Sequence, residues 1–437
     1  MATPDARPSV AIVGGGWAGL ACALQLARAG FKPIVFESAP EAGGRARRAR
    51  LGDTWRDNGQ HLMLRGCRAL TQLFDDVGLS MPRVPFAYTD DTRVLSLAGR
   101  RGRSGLLLAL LNARGWRWTE RAGLLRALLH LQFHGWRVDA DLTVAQWLED
   151  RRQPLSLVTT FWAPLALAIL NTPLEQAAMT RLAPVLRDTL GAGGAALSVM
   201  QPHGNLSSSV VAAWVDAVLA AGGAVRCASR VTEITHQADA LQLHYHAADA
   251  SAVQSFDHVV LTVPPWALSH IALPFESSGL TERFGAQPIA TVYLGFDPET
   301  TGPLTTPLIQ LAGPTPEDAR VWAMDRTHCG EPGVITISLS AEGPWASLDH
   351  EALAQACLHH LRTATDLQAP CLWHKVVTVQ RATPCATPAA RLHPHERQPL
   401  PGLYLAGDWT HDTYPATLEA AVQTGFDAAT RVMTQIS

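Results

Sequence analysis

Ser9 to Glu37, SVAIVGGGWAGLACALQLARAGFKPIVFE, carries the reading of the fold. Ser9–Val13 is a short β-branched run suited to a buried parallel strand. It passes into Gly14-Gly15-Gly16-Trp17-Ala18-Gly19, then a helical stretch from Leu20 to Ala29 that Gly30 ends. A second apolar strand, Pro33 to Phe36, leads to Glu37. Each part of this G-x-G-x-x-G unit suits a dinucleotide. Gly14 makes the tight turn, Gly16 lets backbone approach a pyrophosphate, and Gly19 lets the helix pack against the strand. Trp17 and Ala18 lead into that helix, whose N-terminus offers unpaired N–H groups and a positive dipole end to the phosphates. Glu37 stands 18 residues past Gly19, where a carboxylate suits ribose hydroxyls and repels a 2′-phosphate. Glycines alone would carry little; the order strand, glycines, helix, strand, acid carries the reading.

Working outward, Glu41-Ala42-Gly43-Gly44-Arg45-Ala46-Arg47 follows the acid directly. Two glycines again open backbone to a ligand, and Arg45 is placed to reach a phosphate. At the far end, Pro401-Gly402-Leu403-Tyr404-Leu405-Ala406-Gly407-Asp408 is a turn, a strand and a Gly-Asp pair. Tyr414-Pro415-Ala416-Thr417-Leu418-Glu419 then enters a helix that reads as far as Gly425. In this order the motifs resemble the flavin amine oxidase and phytoene desaturase superfamily, in which FAD lies extended. The resemblance implies contacts to FAD from Gly43, Gly44 and Arg45, from Asp408 beside Gly407 on the ribityl chain, and from the helix start at Thr417-Leu418 facing the flavin ring. Gly223–Ile234, with Val231, resembles the strand whose backbone meets the adenine. Phe256–Pro265 resembles the strand that hands the chain to a substrate domain. The fold class expected is α/β: a discontinuous Rossmann-like FAD-binding domain of the amine oxidase type (1–75, 206–265, 391–437) with an inserted α+β substrate domain (76–205, 266–390).

Amine oxidases of this superfamily place a lysine near flavin N5 and frame the amine with two aromatic residues. The corresponding strand, Ile289–Phe296, has no lysine, and Thr417 stands where the second aromatic would be. Asp57-Asn58-Gly59-Gln60-His61-Leu62-Met63-Leu64, Arg381-Ala382-Thr383 and Gly407-Asp408-Trp409-Thr410 instead resemble the squalene-associated branch, the hydroxysqualene dehydroxylases. That likeness implies a flavin-dependent replacement of an allylic hydroxyl by hydrogen, and FAD contacts from Gly59, Gln60 and His61. His61 and Asp57 read either as the acid and its positioner or as structural hydrogen-bonding groups. Tyr414 reads either as a donor or as a packed wall of the site. A polyprenoid desaturase, an amine oxidase and a flavin-containing isoprenoid carrier stand as alternatives. The partners expected are an apolar isoprenoid, a membrane surface and upstream squalene-pathway synthases.

Composition narrows the rest. The net charge of -3 gives no basic footprint for nucleic acid. Seven cysteines without a C-x-x-C pair point to a reducing compartment, and the sequence reads as cytoplasmic. No set of four spaced Cys or His ligands suggests zinc. Gly191–Ala196 fits G-x-G-x-x-A but follows a helical stretch rather than a strand, so no second dinucleotide site is expected. No apolar run approaches the roughly 18 residues of a spanning helix. Between 104 and 137, however, a leucine run, Trp116, Trp118 and several arginines precede a helix to about Trp136. Its stripe of Ala122, Leu125, Leu128, Leu129, Phe133 and Trp136 fits a helix lying in a membrane interface, on the inner face of the cytoplasmic membrane, or one facing the core.

Overall fold

The computed structural model describes residues 7–84, 87–90, 92–96, 102–237, 240–247, 250–301, 304 and 306–435. Five parallel strands form the first sheet in the order Ala224–Arg226, Ile34–Phe36, Val10–Val13, His258–Leu261, Leu403–Leu405. Its register sets Ile12 against Val35 and Val260, and Val260 against Tyr404. Every residue of Val10–Val13 is buried, as a central strand covered on both faces requires. On one face lie the helices Trp17–Arg28, Ala212–Ala220 and Leu418–Thr434. The first and last of these touch backbone to side: a methyl on Gly425 would stand 2.3 Å from the Ala18 carbonyl oxygen. The other face is covered by a three-stranded antiparallel sheet, Ser229–Gln237, Ala240–Ala247 and Ala250–Phe256, through Phe36, Leu243, Phe256 and Leu405.

Two predicted single strands are each divided between sheets. Gly223–Ile234 breaks after Arg226, where Ala228 turns at a φ of 50°; the first piece joins the parallel sheet and the second the antiparallel one. Phe256–Pro265 divides at Asp257, whose carboxylate accepts from the Ser9 N–H at 2.6 Å and the Ser9 hydroxyl at 2.7 Å. Apolar patterning alone does not register such a change of partner.

A second sheet of five antiparallel strands runs Leu308–Leu311, Val321–Asp325, Val334–Ser340, Gln287–Gly295, Trp373–Thr383. Alternation gives it two unlike faces. Ala290, Val292, Leu294, Ile335 and Ile337 pack against Leu353, Cys357 and Leu361 of helix His350–Ala364. Thr291, Tyr293, Thr336 and Ser338 fall on the opposite face. That face looks toward a helical layer, Gly102–Leu111, Trp118–Phe133, Val144–Asp150, Ala163–Leu170 and Met179–Asp188, centred on Trp147 and Trp162. The Trp322 indole N–H, donating to the Pro164 carbonyl at 3.1 Å, ties sheet to layer. The first sheet is thus drawn from the segments expected to bind FAD, and the second from those expected to meet substrate. The strand Met63–Leu64, paired with Val199–Met200, crosses that division.

Helix Trp118–Phe133 differs from its predicted stripe. Its buried side is Glu120, Gly123, Leu124, Ala127, Leu128 and Leu131, while Trp118, Leu129 and Phe133 point to solvent. The helix is apolar on two sides. Trp136 lies beyond its end, with its ring against Gly191 in the turn after helix Met179–Asp188.

Candidate active site

Backbone builds the nucleotide end. The first hydrogen bond of helix Trp17–Arg28 runs from the Leu20 N–H to the Gly16 carbonyl, so the N–H groups of Trp17, Ala18 and Gly19 have no intrahelical acceptor. The Trp17 side chain turns inward, edge-on to Trp214 at 5.4 Å, leaving its backbone to face a ligand. Gly19 permits a close approach: a Cβ there would stand 2.0 Å from the Gly14 carbonyl oxygen. Gly44, at a φ of 61°, brings the second glycine motif over the first, where a Cβ would lie 3.0 Å from Gly16 Cα. Buried Glu37 accepts from the Gly15 N–H at 2.7 Å and the Ala39 N–H at 2.8 Å, and keeps lone pairs free for a diol. Val231 lies next to this strand end in the same core as Phe36, and the Glu37 carbonyl accepts from the Ser229 N–H at 2.8 Å. Free helix N–H groups, glycines without room for a side chain and a buried diol acceptor fit an extended FAD.

Arg45 joins four motifs far apart in sequence. Its guanidinium donates to Asp408 Oδ1 at 2.6 Å and to the Ala382 carbonyl at 2.9 Å, and its own carbonyl accepts from the Asn58 side chain at 2.7 Å. It is turned to the buried Asp408 carboxylate rather than left free for a phosphate, because an opposite charge at that distance outcompetes solvent. Asp408 also accepts from the Trp409 N–H, and the Gly407 N–H donates to the Thr424 hydroxyl. The helix Leu418–Thr434 is capped by the Thr417 hydroxyl, which accepts from the Ala420 N–H at 3.3 Å, leaving the Leu418 N–H at its mouth. At the same end Glu419, buried, accepts from the Ala69 and Leu70 N–H groups at 2.9 Å.

The Asp57–His61 loop crosses the inner face of the second sheet. Buried Asp57 accepts from the Leu206 N–H at 2.7 Å and from Arg326 at 3.3 Å, while its carbonyl accepts from the Tyr293 hydroxyl at 2.7 Å. Burial raises the Asp57 carboxyl above its ordinary range, against the opposing pull of Arg326 and the Leu206 N–H. Gln60 Oε1 accepts from Arg326 at 3.1 Å and from Thr336 at 2.9 Å. Arg326 is also paired with Glu331, which pairs with Arg56. Burial opposes its charge, yet the surrounding carboxylates raise its pKa further. His61 Nε2 is buried without a partner. Burial first, then the charges of Arg326 and Arg45, lower the His61 pKa to about 4, so the imidazole is neutral at neutral pH.

Tyr414 sits in a small core with Val185 and Ala420, and its hydroxyl donates to Asp188 Oδ2 at 2.5 Å. Burial raises its pKa, and the Asp188 carboxylate adds to the effect. Asp188 pairs with surface-exposed Arg187. Buried Arg181 donates to the Tyr414 carbonyl at 2.8 Å and the Ala390 carbonyl at 2.7 Å, and also to the His411 carbonyl, fixing the turn before the last helix. Arg326, Glu331, Arg181 and Asp188 were not legible as site residues. Each is a lone charge without a motif, identified only by what the fold brings to it. Among the described residues, no group of three or more His, Cys, Asp or Glu is placed to hold a metal ion, and no helix is long and apolar enough to cross a membrane.

Residues 17–433 match the family described as flavin containing amine oxidoreductase. The chain is 29% identical to a hydroxysqualene dehydroxylase of Rhodopseudomonas palustris, over 97% of this chain and 98% of that one. It is 24% identical to a 15-cis-phytoene desaturase of Solanum lycopersicum, over 97% of this chain and 77% of that one. An oxidoreductase structure from Methanosarcina mazei superposes with a TM-score of 0.71 at 14% identity, over 97% of this chain and 100% of that one, and shares the fold. A glycine cradle that fits FAD, in a chain matched to the family over nearly its whole length, makes this protein an FAD-dependent oxidoreductase belonging to the flavin containing amine oxidoreductase family.

Proposed function

We propose that the enzyme removes the allylic hydroxyl of hydroxysqualene reductively, giving squalene and water. The observation that carries this reading is the 29% identity, over almost all of both chains, to a protein named hydroxysqualene dehydroxylase. A strand without the lysine typical of amine oxidation agrees with it. Reduced flavin, when bound, supplies a hydride to the allylic carbon; the C–O bond breaks and the departing oxygen takes a proton.

The residues then divide the remaining work. Neutral His61 is a hydrogen-bonding partner of the reacting end rather than a standing acid, because burial first, and then Arg326 and Arg45, disfavour its charge. Asp57, held by Leu206 and Arg326, is a positioning residue that fixes the loop. Tyr414 donates to Asp188, which Arg187 holds at the surface, an arrangement suited to fixing the Tyr414 hydroxyl in the wall of the site. The outward face of Trp118, Leu129 and Phe133, with Leu107, Leu108 and Leu111 nearby, is the contact with an anionic lipid surface from which a C30 alcohol would be drawn.

The test is product analysis in heavy water. Reduced enzyme incubated anaerobically with hydroxysqualene should yield squalene carrying one deuterium, since flavin N5 exchanges with solvent. Polyene products from oxidised enzyme, with no squalene from reduced enzyme, would favour the desaturase reading instead.

A further inference from the structure

The inner face of the second sheet is an ordered grid, and one pair of hydroxyls in it is unlike its neighbours. One row across the strands reads Leu308, Met324, Thr336, Tyr293, Lys375. Its two hydroxyls are used: Thr336 donates to Gln60 and Tyr293 to the Asp57 carbonyl, so this row anchors the loop. The adjacent row reads Gln310, Trp322, Ser338, Thr291, Val377. Here Thr291 and Ser338 are direct cross-strand partners, close enough for both hydroxyls to meet one atom. Neither Thr291 Oγ1 nor Ser338 Oγ has a hydrogen-bond partner, although both atoms are buried and Thr291 is only 1% exposed.

Two further observations concern the loop that crosses this row. Gly59 passes over this row, and a methyl built on it would stand 3.6 Å from Thr291 Oγ1, so the missing side chain leaves space above the hydroxyl. Two residues on, His61 Nε2 is also buried and unpartnered. Buried polar groups are nearly always satisfied, and three orphans around one loop need a common explanation. On either side of the pair lie Trp322 and Val377, and beyond it Ile289 and Val379, surfaces suited to hydrocarbon.

We propose that Thr291 and Ser338, with His61, form the subsite that binds the oxygen of a long-chain allylic alcohol. The inference rests on the dehydroxylase reading and deepens it by naming what recognises the hydroxyl. A hydroxyl accepting and donating here satisfies groups that the corresponding hydrocarbon would leave unpaired, which is the basis of alcohol-over-hydrocarbon selection. The product, having lost its oxygen, would then be bound less tightly than the substrate.

The test compares oxidised holoenzyme with its Thr291→Val, Thr291→Ser and Thr291→Val/Ser338→Ala variants. Perturbation of flavin absorbance reports binding of hydroxysqualene and of squalene in the same detergent. Wild type should prefer the alcohol, and Thr291→Val should lower that preference about tenfold, the value of one hydrogen bond, with squalene affinity unchanged. The serine variant should restore the preference and the double variant abolish it. Because valine replaces an unpartnered hydroxyl, the thermal midpoint of Thr291→Val should hold or rise, which keeps the variant folded and readable. An unchanged alcohol-to-hydrocarbon ratio in Thr291→Val would mean that the pair merely holds a buried water, and overturns the proposal while wild-type conversion of hydroxysqualene leaves the reaction standing. If wild type converts none, farnesol against farnesene becomes the probe pair. A ratio dependent on Thr291 upholds the subsite without the squalene reading, and an independent one removes both.

Discussion

His61 shows how the surroundings of one residue decide what it can do. A histidine met in sequence beside Asp57 suggests an acid with its positioner. In the fold, Asp57 is occupied by Arg326 and the Leu206 N–H, and His61 is left with two arginines and no carboxylate partner. Burial first, and then these arginines, make its proton affinity lower folded, at a pKa of about 4, than unfolded, near 6.5. The sign follows: the unfolded chain binds the extra proton, so this contribution is complete above pH 6.5 and is lost as the pH falls toward 4. A displacement of that size corresponds to roughly 3 kcal/mol. Flavin-free His61→Gln should accordingly lose less stability than wild type between pH 7 and pH 4 in chemical denaturation. Parallel losses in the two proteins would show that folding leaves the His61 pKa near its ordinary value, and would return it to the role of acid.

At the scale of the element, helix Trp118–Phe133 is the departure with the clearest physical cause. Its two apolar sides cannot both face one core. Gly123 and Leu124 are turned inward, and a Cβ on Gly123 would lie 2.9 Å from Pro154. Phe133, 84% exposed, and Trp118, 71% exposed, are left outside. Arg121 lies over the Trp118 ring and donates to the Leu111 carbonyl at 3.0 Å, linking this face to that of Leu107, Leu108 and Leu111. Arg114, Arg117 and Arg126 are exposed in the same segment, whose acid, Glu120, is buried. Aromatic and leucine side chains beside uncompensated arginines suit anionic headgroups. Replacing Trp118, Leu129 and Phe133 together by serine should cut flotation with phosphatidylglycerol vesicles at least tenfold while flavin content stays the same. Undiminished flotation would place the lipid contact elsewhere.

Over the whole molecule, what was legible in sequence was what is local. The glycines from Gly14 to Gly19, the acid at Glu37 and the closing Gly407-Asp408 each act within a few residues of their own strand, so spacing exposes them. The charged centre is different in kind. Arg45 meets Asp408 across 363 residues, and Arg326 meets Asp57 across 269. No periodicity encodes such meetings; they arise because the parallel sheet gathers strands from both ends of the chain, while the second sheet lies under the Asp57–His61 loop. The same limit explains the two divided strands, since a buried apolar run looks alike whichever sheet receives each half. Thr291 and Ser338 were invisible for a related reason: a hydroxyl's importance here lies in lacking a partner, which only the assembled fold defines.

Use of FAD to remove an allylic hydroxyl from a C30 isoprenoid can be followed in one anaerobic single turnover. Holoenzyme reduced to the two-electron level is mixed with hydroxysqualene, and flavin absorbance is followed while squalene is quantified. Reoxidation of the flavin with one squalene formed per flavin oxidised is the expected outcome. Flavin that stays reduced in the presence of bound hydroxysqualene, with no squalene formed, would contradict it.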